Sequence, residues 1–145
     1  MSFNLFRTTN QTNQTNQTNQ IDVKTKYRQL ADDFCKQYYN VYDENVNNLI
    51  DLYYIDSQFT YLDQEITGFN NLLQKIRSVG INKFVHNNLN ITAQPINNNS
   101  LTICVIGKVI INNSIFPNNF IETIYVQITN ENKFKVCSTI FKLLD

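Results

Sequence analysis

Apolar side chains between residues 21 and 80 recur mostly at helical spacing. Tyr27, Leu30, Ala31, Phe34, Tyr38, Val41 and Tyr42 follow offsets of three, four and seven, which predicts a helix of about five turns with one apolar face. Val46, Leu49, Ile50 and Tyr53 predict a second, shorter helix. Phe59 and Tyr61 alternate with polar neighbours and predict a short strand. Gly68 then opens a helix bearing Phe69, Leu72, Leu73, Ile76 and Val79, with Gly80 placed as its left-handed cap.

From Leu89 onward the period falls to two. Leu89, Ile91 and Ala93 predict a strand ending at Pro95, followed by the turn cluster 97–100. Leu101 to Ile111 is nearly continuously apolar and predicts a central strand. After Asn112-Asn113-Ser114, alternation resumes over 120–128 and again over 134–141. Helices come first and four long strands follow as successive hairpins. The expected class is α+β, with helices on one face of a curved antiparallel sheet. The strands from Leu101 to Leu143 carry more apolar side chains than three helices can cover, so the outer sheet face is expected to pair two subunits.

Residues 9–20 read as four Thr-Asn-Gln triplets, with nothing to bury against backbone ordering costs of roughly 1–2 kcal/mol per residue. The expected organisation is a disordered Thr/Asn/Gln-rich tail over 1–20 and one folded domain over 21–145. The 145 residues hold 12 basic and 12 acidic side chains, a balance without the basic footprint of a nucleic-acid binder. No run of 18 apolar residues predicts a membrane helix, and Met1–Asn10 carries no secretory segment. Cys35, Cys104 and Cys137 lack ligand spacing and read as reduced thiols of an intracellular protein. Three glycines leave no phosphate-binding loop and no dinucleotide fingerprint, so no cofactor and no metal is expected. The single histidine, His86, restricts acid–base chemistry to itself, Asp63 and several tyrosines, and no paired carboxylates stand at a catalytic spacing.

The order of several motifs resembles the nuclear transport factor 2 family: Phe34-Cys-Lys-Gln-Tyr38-Tyr39; Leu49 through Leu52-Tyr53 to Ser57 and Thr60-Tyr61; Gly68 through Leu72, Lys75-Ile76 and Ser78-Val79; Asn82-Lys83-Phe84-Val85-His86; Gly107; Phe120-x-Glu122-x-Ile124; and Phe134 to Ile140-Phe141-Lys142. The resemblance spans about residues 24 to 144. It implies a cone-shaped curved antiparallel sheet wrapped around three N-terminal helices, dimerising through the sheet, either with itself or with a similar domain. It implies a non-enzymatic protein of cytoplasm, nucleus and nuclear pore that binds phenylalanine-glycine nucleoporins and carries or adapts a protein partner. The fold also hosts isomerases and dehydratases.

By this resemblance Tyr27 occupies the position of an aromatic that contacts nucleoporin repeats. Leu62 replaces a glutamate, and Asn112, Asn113 and Ser114 replace an aspartate-bearing loop, that meet basic residues of GDP-bound Ran. Neutral groups cannot form those charge-assisted bonds, so Ran binding is expected to fail. Phe141-Lys142 matches the related export cofactors, whose arginine there pairs with an acid of a messenger-RNA export receptor; lysine is the weaker substitute, expected as a solvated residue on an edge strand. His86 matches a histidine of the non-enzymatic transport factor, which implies a structural role.

Overall fold

The computed structural model describes residues 20–144. The expected tail therefore lies outside the described residues except for Gln20. Helix α1 (Val23–Glu44) is capped by Asp22, whose carboxylate accepts from the Lys24 N–H at 3.0 Å. Its helical geometry breaks once, at Lys26 (φ −119°, ψ 15°), so Tyr27 opens the long straight segment. Leu30, Ala31, Phe34, Tyr38, Val41 and Tyr42 are buried as the spacing predicts, whereas Tyr27 is half-buried.

Asn45 ends α1, donating its N–H to the Val41 carbonyl, and its side chain caps the next element by accepting from Asn47 N–H at 3.0 Å. That element is the second, shorter helix expected, in 3₁₀ form (Val46–Leu52), and it stops one residue before Tyr53. Tyr53 already belongs to β1 (Tyr53–Tyr61), a nine-residue strand where a short one was expected. A two-residue turn at Leu62 (φ 51°) and Asp63 (φ 67°) leads into β2 (Gln64–Thr67), which the hydrophobic pattern did not reveal. Helix α2 (Phe69–Ser78) follows, and Gly80 at φ 80° terminates it as expected: Gly80 N–H bonds the Arg77 carbonyl and Ile81 N–H the Ile76 carbonyl.

The remaining chain forms β3 (Phe84–Asn97), β4 (Ser100–Ile111), β5 (Asn118–Ile128) and β6 (Phe134–Leu144). β3 starts five residues before the expected strand and continues through Pro95, which the sheet tolerates because β3 is an edge strand. The sheet order is β2-β1-β6-β5-β4-β3. All neighbours are antiparallel except β1 and β6, which run parallel, so the sheet is not wholly antiparallel. β6 is therefore central, and Lys142 does not lie on an edge strand.

Bulges bend this sheet. β3 shifts register between Asn87 and Asn90, with Asn88 at φ 54°. Opposite the bulge stands Gly107, where a Cβ would meet Leu89 Cδ2 at 2.9 Å, Asn87 O at 3.0 Å and Phe120 Cε1 at 3.1 Å. The missing side chain lets β3 fold over β4. β1 bulges against β6 between Tyr53 and Gln58; the buried Ser57 hydroxyl donates to Val136 O at 2.7 Å and accepts from Tyr54 N–H at 2.9 Å, replacing lost ladder bonds. The concave face carries Leu101, Ile103, Val105, Phe120, Ile124, Val126 and Val136 onto the buried stripe of α1.

Candidate functional site

Strand direction sorts the candidate residues. The end of β1, the start of β3, the end of β4, the start of β5 and the end of β6 all lie at one end of the sheet. Leu62, Asn112, Asn113, Ser114 and Lys142 are thereby brought to one rim. Tyr27 lies towards the opposite end, because Val23 N–H bonds Asn98 O in the β3–β4 turn.

At the rim, Leu62 is half-buried and donates its N–H to Phe141 O at 3.3 Å. Lys142 pairs with Asp63 at 3.2 Å across exposed surface; it is solvated as expected, but on an interior strand and not on an edge. Asn112 and Asn113 adopt left-handed φ values of 54° and 58°. The Asn112 amide oxygen accepts from Asn82 N–H (2.8 Å) and Lys83 N–H (3.2 Å), and its nitrogen donates to Gly80 O (2.8 Å). Its polar atoms already clamp the α2–β3 loop. Ser114 bonds locally with Phe116, and the following Ile115 and Phe116 are exposed. The rim is uncharged at Leu62, Asn112, Asn113 and Ser114, with apolar side chains at its tip.

The cone interior holds a polar cluster of Glu122, Tyr38, Tyr39, His86 and Asp43, of which Asp43 belongs to none of the sequence motifs. Glu122, inward-facing on β5, is buried; Tyr39 OH donates to its Oε1 at 2.8 Å and Tyr38 OH to its Oε2 at 3.2 Å. Tyr38 and Tyr53 share a hydroxyl contact at 3.2 Å. Burial raises the Glu122 pKa, opposed by the Tyr39 hydrogen bond, the charge of His86 and the Tyr38 hydrogen bond. Asp43, near the end of α1, accepts the His86 backbone N–H (2.8 Å) through one oxygen and faces His86 Nδ1 (2.6 Å) with the other. The other ring nitrogen, Nε2, is buried and without a hydrogen-bond partner.

This constellation has groups capable of acid–base chemistry, with His86 Nε2 buried among aromatic rings. The rings of Tyr39, Tyr42, Phe84 and Phe120 stand with centroids 4.7–5.9 Å from that of His86. A hollow of about 330 Å³ between α1, the 3₁₀ helix and α2 reaches Asp43, but neither His86 nor Glu122 lines it. Asp63, the other acid–base candidate, is at the surface turn. Among the described residues no group of three or more His, Cys, Asp and Glu could hold a metal ion, and no helix is long and apolar enough to cross a membrane.

Two further surfaces stand out. A groove of about 310 Å³ runs between α1 and β3, lined by Arg28, Ala31, Asp32, Ile91, Thr92 and Ala93. Tyr27 does not line it but contacts the lining Arg28, whose Nε donates to the Tyr27 hydroxyl at 3.3 Å and whose guanidinium carbon lies 5.7 Å from the ring centroid. The convex sheet face presents the cross-strand pairs Ile106–Ile121 and Thr123–Ile140, with Ile106 and Ile140 each 47% exposed.

The nuclear transport factor 2 domain, as a family, matches residues 30–143 of this fold. The chain belongs to the nuclear transport factor 2 family. Nuclear transport factor 2 of Candida glabrata is 26% identical over 118 residues, covering 81% of this chain and 94% of that protein. The solved nuclear transport factor 2 of Cryptosporidium parvum superposes with a TM-score of 0.75 at 23% identity, covering 86% of this chain and 99% of the other. A putative scytalone dehydratase of Novosphingobium aromaticivorans shares the fold alone, with a TM-score of 0.65 at 14% identity over 84% of this chain and 87% of the other. The cone fold expected from the sequence is the fold observed, and membership in a family of named nuclear transport factors supports a general role in nuclear transport.

Proposed function

We propose that this protein is a non-enzymatic nucleocytoplasmic transport factor that engages phenylalanine-glycine repeats of nucleoporins through the groove beside Tyr27. It carries or adapts a protein partner at the opposite rim. The observation that carries the reading is the groove itself. Its apolar floor of Ala31, Ile91 and Ala93 suits an aromatic ring, and the half-buried Tyr27 at its border adds aromatic surface with a hydroxyl at the edge. The ring-filled surroundings of His86 argue against substrate turnover in the interior. The apolar convex face suits pairing with a second, similar sheet, so the working unit is a dimer. Cytoplasm, nucleus and nuclear pore are the corresponding locations.

A second reading, an export-cofactor subunit pairing with a messenger-RNA export receptor, draws on the uncharged rim at Leu62, Asn112 and Ser114. Lys142 is held by Asp63 only across exposed surface, a weak contact that an acid of the partner would displace.

The test is capture on immobilised phenylalanine-glycine repeats. Tyr27→Ala is expected to reduce capture while sedimentation and circular dichroism stay those of the wild type. Unchanged capture by the folded variant would refute the role of Tyr27, and no capture by the wild type would refute the nucleoporin reading.

A further inference from the structure

The Thr-Asn-Gln tract separates the domain from a short apolar segment, Phe3-Asn4-Leu5-Phe6, followed by Arg7. Residues 8–20 contain nothing but Thr, Asn and Gln. Two phenylalanines and a leucine are thus tethered to the start of α1 by a wholly polar spacer. We propose that this segment is an intramolecular occupant of the groove between α1 and β3 and competes there with phenylalanine-glycine repeats. The inference rests on the nucleoporin reading of that groove and adds a regulator to it.

Three observations carry the assignment. The first is where the tether is anchored. Val23 N–H is fixed to Asn98 O, and Arg28, at the groove, lies five residues further along α1, about 8 Å at a helical rise of 1.5 Å per residue. The second is reach. Phe6 and Asp22 are separated by 16 residues, and a chain of that length reaches at most roughly 53–58 Å. The groove lies well inside that radius, so the segment is held near it at an effective concentration in roughly the millimolar range.

The third observation is chemical. The groove floor of Ala31, Ile91 and Ala93 accepts an aromatic ring by burying apolar surface. The segment offers the same ring that a nucleoporin repeat offers. Asp32 lies at the groove, and Arg7 immediately follows Phe6, so ring and guanidinium can meet floor and carboxylate together. A tethered competitor at millimolar effective concentration occupies a site whose single-motif dissociation constant is of that order or lower. Repeats presented in many copies displace it, so the segment raises the threshold for capture without abolishing it.

The experiment compares the full chain with the full-chain variant Phe3→Ser/Leu5→Ser/Phe6→Ser, which leaves the domain and the spacer intact. Two measurements are made: affinity for a soluble phenylalanine-glycine repeat peptide, and methyl NMR shifts of Ala31, Ile91 and Ala93. The expected result is about three- to tenfold tighter binding by the variant, together with a shift of the groove methyls in the free protein. Equal affinity with unmoved methyls would overturn the inference and leave the nucleoporin reading standing. Absence of peptide binding by both chains would overturn the nucleoporin reading and the competition with it. A methyl shift that grows with protein concentration would place the segment on a second copy and overturn the intramolecular assignment.

Discussion

Replacing Asn112 separates its local structural role from a role in partner binding. Its side chain makes three hydrogen bonds, to Asn82, Lys83 and Gly80, at an exposed edge. At roughly 0.5–1 kcal/mol net for each, Asn112→Gly should cost about 2 kcal/mol. Asn112→Ala should cost about 3 kcal/mol, because alanine lacks the local side-chain hydrogen bonding that lets asparagine tolerate φ 54°, a difference of about 1 kcal/mol. Asn112→Asp keeps the two acceptor bonds and charges them, but sets an oxygen against the Gly80 carbonyl. Its net cost should be about 1 kcal/mol. Urea unfolding at fixed protein concentration reads these differences. With a slope of about 1.5 kcal/mol per molar, the glycine variant should unfold about 1.3 M earlier. A glycine midpoint equal to that of the wild type, or alanine no worse than glycine, would refute the clamp.

Glu122 predicts a pH effect of definite sign. Its pKa lies above the ordinary 4.5 in the folded protein, so the native state retains a proton that the unfolded chain releases. Its contribution makes stability fall as pH rises from about 4.5 through the raised value, and Glu122→Gln should remove that slope; parallel urea midpoints for both proteins from pH 4.5 to 7.5 would contradict it. GDP-bound Ran should give no micromolar heat in calorimetry with the wild type. Leu62→Glu with Ser114→Asp should recover binding that weakens as salt rises, whereas a micromolar wild-type constant would restore a Ran-carrier role. The wild type should sediment as a dimer at micromolar concentration and Ile106→Lys/Ile140→Lys as a folded monomer; a monomeric wild type would remove the convex-face interface.

The elements legible in the sequence were those with a long unbroken period. The stripe from Leu30 to Tyr42 and the alternation of β5 are buried where periodicity placed them. β4, read from its nearly continuous apolar run as covered on both faces, buries mainly alternate residues and leaves Ile106 exposed. An irregularity in β6 turns Thr139 and Phe141 inward and Ile140 outward, against the expected alternation. β2 escaped notice because it spans four residues with one buried side chain, Ile66, and because its turn uses Leu62-Asp63 where a glycine would advertise the left-handed geometry. The length of β1 was hidden by a bulge that interrupts its alternation at Ile55 and Asp56. Clustering of the rim residues was not legible from spacing, since it depends on strand direction. The polar centre was hidden for a related reason: Glu122, Tyr39 and Asp43 lie on two elements about 80 residues apart in sequence, and only the inward register of β5 turns an acid in an apolar strand towards the helix.

The parallel pairing of β1 with β6 sets an order of events during folding. Tyr53 pairs with Val136 and Tyr61 with Phe141, so β1 and its hairpin partner β2 join the sheet only through the last of its strands. The β3–β6 meander can form from successive hairpins, but closure of β1 onto it requires a loop of roughly eighty residues to be fixed. On the ribosome, Phe59 and Tyr61 therefore emerge long before Thr139 and Phe141 exist to cover them. Completion of this domain is tied to synthesis of β6, and a chain halted at the end of β5 leaves the β1–β2 hairpin with no place in the sheet.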